Sequence, residues 1–149
     1  MSTVKTDIEI AAPIEKVWDT LMDPDRLADW VTIHKSVGRV SDSPLRQGST
    51  MRQAMHVRGF TFHVNWTVVD LDKPRHAEWK GVGPAHSQAR IRYELTSLDD
   101  GHTRFQYTNE FSPPGGRLGN VASRVIVGAT SEREADRSLT KLKALLERD

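Results

Sequence analysis

The sequence predicts an α+β fold in which a curved antiparallel sheet of six or seven strands wraps around one long C-terminal helix, with two short helices after the first strand. Three observations lead to this prediction. An alternating apolar segment near the N-terminus precedes two brief helical patterns that a proline separates. A long middle region alternates apolar and polar residues between turn sequences. The C-terminal segment then changes to helical spacing.

The composition is that of one soluble domain. The chain has 149 residues, of which 37% are hydrophobic and 28% charged, so it can form one apolar core and is too apolar for a disordered chain. We therefore expect a single domain over residues 1–149. The formal net charge of +1 supplies no bulk attraction to nucleic acid, and none is expected as a partner. The absence of cysteine excludes disulfides, thiolate metal sites and thiol nucleophiles.

The N-terminal segment MSTVKTDIEIAAP lacks the continuous apolar core of a signal peptide. No stretch of the chain reaches the ~20 apolar residues that a membrane span needs. These features predict a cytoplasmic protein without stable membrane insertion. We also expect it to be a monomer or a weak dimer.

A strand and two short helices form the predicted N-terminal part. Val4, Ile8 and Ile10 share one parity, which is typical of a strand with one buried face. Pro13 suits the first turn of a helix, where its missing N–H group is not needed. The D-P-D segment at 23–25 ends that helix and caps a new turn. Because one long helix would overshoot the end of a curved sheet, we interpret the pair as a lid that closes it.

Residues 34 to 111 are predicted to form a meander of antiparallel strands. After Gly59, the segment FTFHVNWTV alternates strictly between apolar and polar positions, and the D-D-G segment at 99–101 is typical of a turn. One face is then apolar and the other solvated. The aromatic side chains of the apolar face are those of Phe60, Phe62, Trp66, Trp79, Tyr93, Phe105, Tyr107 and Phe111.

A long helix is predicted from about Arg117 to Glu147, after the P-P-G-G segment ends the last strand. At 1.5 Å per residue it would reach roughly 45 Å, which is long enough to cross the sheet. Gly128, Ala129 and Ala135 would leave room opposite the large aromatic rings.

The segment IEIAAPIEKVWDTLMDPDRLADW, residues 8–30, resembles the opening segment of the START-like (SRPBCC, helix-grip) superfamily. The shared features are the apolar strand, the A-P pair after it, the V-W pair in the first helix and a second helix of the form D-P-x-x-L-x-x-W. The ending PPGGRLGNVASRVIVG…LTKLKALLE is similar to the closing segment of the polyketide cyclase/dehydrase-like group. The resemblance implies a helix-grip fold and a START-like ligand-binding domain, a fold that serves both enzymes and ligand carriers.

The space between sheet and helix is either a packed aromatic core or an apolar cavity with polar anchors. Small helix residues and inward polar groups favour the cavity, because a buried amide without a partner costs roughly 1–3 kcal/mol and usually finds a neighbour, water or ligand. The residues predicted to bind the ligand are Trp30, Gln53, Phe60, Phe62, Trp66, Trp79, Tyr93, Tyr107, Asn109, Val125 and Gly128.

The preferred function is binding or transport of a small hydrophobic molecule, lipid-like or aromatic, in that cavity. The resemblance also implies an alternative, a cofactor-independent polyketide cyclase or dehydratase with Tyr107, Asn109 and Glu132 as candidate catalytic residues. Glu132 interrupts the apolar stripe of the helix, where desolvation would suit it to acid–base work, but the interpretation we favour is a side chain rotated into water. A further alternative is a protein-interaction module, since some relatives bind partners through their outer surface.

No cofactor and no metal site are expected. The six histidines lack the spacing of metal ligands. The segment GVGPAH at 81–86 lacks the third glycine and the following helix of a dinucleotide-binding loop, so we expect a hairpin turn there.

Overall fold

A computed structural model of the protein describes residues 2–112 and 131–148. The strands are β1 (Ser2–Ile10), β2 (His34–Gly38), β3 (Thr50–Val57), β4 (Phe60–Asp72), β5 (His76–Val82), β6 (Gln88–Ser97) and β7 (Thr103–Ser112). The helices are α1 (Ile14–Leu21), α2 (Leu27–Trp30) and α3 (Glu132–Arg148).

All seven strands belong to one curved antiparallel sheet with the order β1-β7-β6-β5-β4-β3-β2. Strands β2 to β7 follow one another as a meander, and β1 returns to pair with β7, so β1 and β2 form the two edges. The predicted α+β helix-grip architecture of six or seven strands is therefore confirmed, and the described sheet has seven.

The turn between β3 and β4 is a two-residue connection. Arg58 and Gly59 have φ angles of 52° and 81°, the positive values that a type I′ hairpin turn requires. Glycine adopts such an angle at little steric cost. Gly59 thus sets the register in which Val57 faces Phe60.

The break between the N-terminal helices lies where the sequence predicts it. Helix α1 ends at Leu21, and a 3₁₀ turn over Pro24–Arg26 leads into α2. The side chain of Asp23 caps this turn by accepting a hydrogen bond from the amide of Asp25, 3.0 Å away. The two helices bury their apolar sides, including Trp18 and Trp30, toward the core.

Helix α3 packs on the sheet through Leu139, Leu142 and Leu146, which are almost completely buried. Toward the C-terminal end of α3, Nζ of Lys143 donates a hydrogen bond to the backbone oxygen of Glu9 in β1 over 3.0 Å, which holds the helix to the sheet. The described helix begins at Glu132; the predicted segment 117–130, with the expected ligand residues Val125 and Gly128, lies outside the described residues. In the part of the chain that is described, no helix has the length and hydropathy needed to span a membrane.

Candidate functional site

The space between the concave face of the sheet, α2 and α3 contains a cavity. Its volume is about 130 Å³, whereas one water needs only roughly 10–15 Å³. Apolar side chains supply most of its wall. They include Leu21, Leu27, Met51, Met55, Phe62, Phe111 and Leu139. The cavity can therefore hold an apolar molecule much larger than water.

Most of the residues predicted to bind a ligand line this cavity: Trp30, Gln53, Phe62, Trp66, Trp79, Tyr93, Tyr107 and Asn109. Phe60 is not among the described lining residues. It is half-buried beside the β3–β4 turn, where its ring stacks on Phe62 with centroids 6.0 Å apart. The alternation of apolar and polar residues correctly predicted which face of β4 Phe60 lies on. It did not predict that Phe60 lies too far along the strand to line the cavity.

The register of the central strands gathers these side chains into rows. Trp79, Ile91 and Asn109 are direct neighbours across β5, β6 and β7, and Tyr93 faces Tyr107 in the next row. Side chains of such neighbours lie on the same face of the sheet. The rings of Tyr93 and Tyr107 are 6.2 Å apart, so together they form a continuous wall.

The ring of Trp66 lies against the backbone of Gly81 on the adjacent strand. A Cβ atom added to Gly81 would lie 2.6 Å from the Trp66 ring, closer than side chains tolerate. Glycine at this position is therefore required for the position of Trp66.

Trp66, Gln53 and His34 form a hydrogen-bonded chain along one wall. The indole Nε1 of Trp66 donates to Oε1 of Gln53, and Nε2 of Gln53 lies 2.9 Å from Nδ1 of His34. Because an indole N–H can only donate, the amide orientation is fixed and Nδ1 of His34 must accept. Burial lowers the pKa of His34, in agreement with a neutral ring. Gln53 thus lines the cavity with both ends of its amide already bonded.

Three buried polar atoms in the cavity wall have no hydrogen-bond partner among the described residues. They are Nε1 of Trp30, Nε1 of Trp79 and Oδ1 of Asn109. These residues are only 2%, 4% and 5% exposed. An unsatisfied buried polar atom costs roughly 1–3 kcal/mol, so these three atoms make the cavity wall less stable than a fully bonded one.

The two cavity tyrosines are neutral at physiological pH. Burial raises the pKa of Tyr107 to about 12, although a side-chain hydrogen bond with Asn109 opposes the rise. Burial, and secondarily the neighbouring Tyr107, raises the pKa of Tyr93 as well. Both phenols can donate or accept hydrogen bonds, but neither is suited to act as a base.

Glu132 is exposed on the outer side of α3 and does not line the cavity. Glu134 does line it, because two residues along a helix turn the side chain by about 200°. Its Oε2 accepts a hydrogen bond from Oγ1 of Thr32 over 2.8 Å, and Oγ of Ser138 accepts from the Thr32 amide. Sequence reasoning missed these three residues. The signal that could have identified them is the i, i+4 spacing of Glu134, Ser138 and Leu142, which places all three on the inward face of α3.

A group of three side chains outside the cavity has ligand atoms close enough for a metal ion. The ligand atoms of Glu9, Asp100 and His102 lie within 4.8 Å of one another. However, Nδ1 of His102 is 2.8 Å from Oε2 of Glu9, and the Arg104 guanidinium lies 3.6 Å from the other oxygen. This ion-pair network accounts for the group, and the expectation that the protein holds no metal stays a prediction.

The helix-grip fold and its cavity define a class of ligand-binding and cyclase-type proteins. The chain belongs to the family described as polyketide cyclase/dehydrase and lipid transport, which it matches over residues 1–147. This is the START-like, polyketide cyclase-like group that the sequence resembles.

Individual relatives support the same fold. The aromatase/cyclase ZhuI from Streptomyces sp. R1128 superposes with a TM-score of 0.81 at 21% identity, covering 99% of this chain and 94% of that one. A START superfamily protein from Mycobacterium smegmatis gives 0.74 at 15% identity, covering 98% and 97%. A protein named Toxin Rv0910 from Mycobacterium tuberculosis is 26% identical over 101 residues, which are 68% of this chain and 70% of that protein.

Proposed function

We propose that the protein binds a small hydrophobic molecule, lipid-like or aromatic, in the cavity between sheet and helix, and holds or carries it without a cofactor. The observation that supports this function best is an apolar cavity whose wall contains buried polar atoms without partners. A packed core would place apolar atoms or bonded polar groups at these positions.

The free energy of such binding comes first from desolvation. A two-ring aromatic ligand that buries ~200 Å² of apolar surface gains roughly 5 kcal/mol at ~25 cal/mol per Å². The loss of translational and rotational freedom offsets much of this gain. Useful affinity therefore depends on the polar anchors of the cavity as well as on its apolar wall.

Tryptophan fluorescence offers a local measurement of ligand binding. Trp30, Trp66 and Trp79 line the cavity, whereas Trp18, the fourth tryptophan of the chain, is buried in α1 and is not among the lining residues. Titration with a panel of quinones, flavonoids, fatty acids and polyketides should quench the fluorescence and raise the melting temperature for at least one class. The Trp18→Phe variant should retain the quenching.

A cavity-filling variant separates internal binding from adhesion to the surface. Ala135 lines the cavity from α3, so Ala135→Phe should abolish binding while the protein remains folded. Ala144 is exposed on the same helix, and Ala144→Phe should bind normally. Absence of binding to every ligand class, or normal binding by Ala135→Phe, would remove this function.

A cofactor-independent cyclase or dehydratase is the second candidate. The similarity to an aromatase/cyclase favours it, and so do the two neutral phenols inside the cavity. Tyr107 would protonate or polarise a carbonyl oxygen with Asn109 beside it, and Glu134, rather than the exposed Glu132, would be the carboxylate in the cavity wall. Turnover of a poly-β-ketone that Tyr107→Phe abolishes would establish this activity. Inertness of the wild-type protein would exclude it for that substrate.

The expected alternative of a protein-interaction module stays a prediction. The similarity to a protein named a toxin covers 68% of this chain and suggests testing it. A pull-down that recovers a macromolecule in a stoichiometric amount, with no effect of Ala135→Phe, would favour this alternative over ligand binding.

A further inference from the structure

The hydrogen-bonded chain of Trp66, Gln53 and His34 connects the cavity wall to the edge strand β2. Trp66 and Gln53 line the cavity, and His34 is half-buried at the start of β2. The chain has a fixed direction, since the indole N–H of Trp66 donates to Oε1 of Gln53 and the Gln53 NH₂ group donates to Nδ1 of His34. It is complete only while Nδ1 of His34 carries no proton.

Protonation of His34 makes this arrangement impossible. Both ring nitrogens of an imidazolium donate, so Nδ1–H would face an NH₂ group that also donates. Reversal of the Gln53 amide would give His34 an acceptor, but it would turn the NH₂ group toward the indole N–H of Trp66, which can only donate. Rotation of the charged ring into water would leave the Gln53 NH₂ group without its acceptor. In every case the chain loses a hydrogen bond.

The charged and titratable groups on the elements around His34 are engaged elsewhere. Those of the described residues are Asp29 of α2, Lys35 of β2, Arg52 and His56 of β3, and Glu134 of α3. Arg52 and His56 alternate with Gln53 along β3, so they lie on the outer face of the sheet. Lys35 is exposed, Asp29 pairs with Arg26, and Glu134 accepts from Thr32. No described residue forms an ion pair with His34, and burial is the cause that lowers its pKa.

The broken chain is more unfavourable beside an apolar ligand than beside water. In a cavity that contains water, a water molecule can bond to the polar group that has lost its partner and can hydrate the new charge. An apolar ligand displaces that water, which disfavours both the free polar group and the charged ring. Trp66 has little room to move away, because its ring lies against Gly81 and packs edge-on against Trp79. The protonated protein therefore has the lower affinity for an apolar ligand.

We propose that His34 makes ligand binding in the cavity depend on pH: the neutral ring holds the wall in its binding form through Gln53 and Trp66, and protonation of the ring releases the ligand. This inference rests on the proposed function and adds its regulation. Affinity is constant above pH 6.5, the ordinary histidine value, and falls as the pH drops through the lowered pKa of His34. Because protonation and binding are linked, a bound ligand lowers the pKa of His34 further.

The affinity for N-phenyl-1-naphthylamine, an apolar fluorescent probe that stays uncharged in this pH range, tests the inference. The dissociation constant is measured about one pH unit above and below the pKa of His34, which NMR titration provides. We expect binding about three- to tenfold weaker at the lower pH. His34→Gln cannot titrate but can accept from Gln53, so it should bind equally at both pH values. His63→Gln is the matched control and should behave as wild type, because His63 is exposed on β4.

Trp66→Phe separates the effect of the hydrogen-bonded chain from that of burial alone. Without the indole N–H, the Gln53 amide can reverse and accept from protonated His34. The pKa of His34, measured by NMR without any ligand, should therefore be higher than in the wild-type protein. Trp79→Phe should leave this pKa unchanged, because Trp79 also lines the cavity but its N–H has no partner among the described residues.

Three results would overturn the inference and leave the proposed function intact. They are equal probe affinity of the wild-type protein at the two pH values, an undiminished pH dependence in His34→Gln, and an unchanged pKa of His34 in Trp66→Phe. No binding of the probe at either pH would instead count against the proposed function itself, on which the inference rests.

Discussion

The indole N–H of Trp66 donates to Oε1 of Gln53 over 2.9 Å, and this one bond orients the whole amide. The opposite end of the amide then faces Nδ1 of His34 and must donate to it. A tryptophan in the cavity wall thereby determines the tautomer of a histidine on the edge strand β2.

Replacement of Gly81 by alanine should destabilise the protein. The new Cβ atom would lie 2.6 Å from the Trp66 ring, which would have to move and stretch its bond to Gln53. Overpacking of this kind costs about 1–3 kcal/mol in the free energy of unfolding, measurable by urea denaturation. Gly38→Ala is the control, because Gly38 lies in β2 with open space around it. Equal stability of the two variants would contradict the prediction.

His34 should make the protein less stable as the pH falls below the ordinary histidine value of 6.5. Burial lowers the pKa of His34 in the folded protein, so the unfolded chain takes up the proton first. Its contribution to stability is complete above pH 6.5 and is lost as the pH falls toward the lowered pKa. Urea midpoints at neutral and mildly acidic pH measure this loss.

The effect of His34 is isolated by comparing two variants. His34→Gln should show a smaller loss of stability on acidification than the wild-type protein. His63→Gln should behave as wild type, because His63 is exposed on β4. If His34→Gln had the same pH dependence as the wild-type protein, the burial of His34 would not contribute to the loss of stability at acidic pH.

The tyrosines should resist ionisation at alkaline pH. The chain has two tyrosines, and burial raises the pKa of both, that of Tyr107 to about 12. Ultraviolet absorbance at pH ~10–11 should therefore show almost no tyrosinate in the folded protein and abundant tyrosinate after unfolding in guanidinium. The contribution of the two tyrosines to the free energy of unfolding is complete below pH ~10. It declines above that pH, because the unfolded chain loses these protons first. A normal tyrosine titration in the folded protein would contradict this prediction.

The hydroxyl of Ser138 should hold the α2–β2 connection against helix α3. It accepts from the backbone amide of Thr32 over 3.2 Å, and Ser138→Ala leaves that amide without its partner. The expected loss is about 1 kcal/mol of unfolding free energy, with faster hydrogen exchange at the Thr32 amide. Thr140→Ala removes an exposed hydroxyl that bonds within its own helix, and it should leave this exchange rate unchanged. Unaltered exchange in Ser138→Ala would mean that this bond does not secure the connection.

Sequence reasoning predicted the order and type of the elements because their patterns are local. The alternation from Phe60 onward identified the inward face of β4, and the D-P-D segment identified the helix break. The sequence pattern could only place Glu132 near the apolar stripe of α3. The exact rotation of the helix about its axis depends on how Leu139 and Leu142 pack in the folded protein. Glu132 is exposed, in agreement with the favoured interpretation of a side chain rotated into water, whereas Glu134, two residues further along the helix, lies in the cavity wall.

The sequence by itself determined the sheet, the lid helices and the set of aromatic side chains available to a cavity, since each follows from the periodicity of neighbouring residues. Only the tertiary structure decided which polar atoms are bonded and which are not. Gln53 and Asn109 are both buried amides on inward faces, yet Gln53 is satisfied by Trp66 and His34 while Oδ1 of Asn109 has no described partner. The physical reason is that hydrogen-bond partners are set by strand register and helix placement, which bring together residues that are distant along the chain.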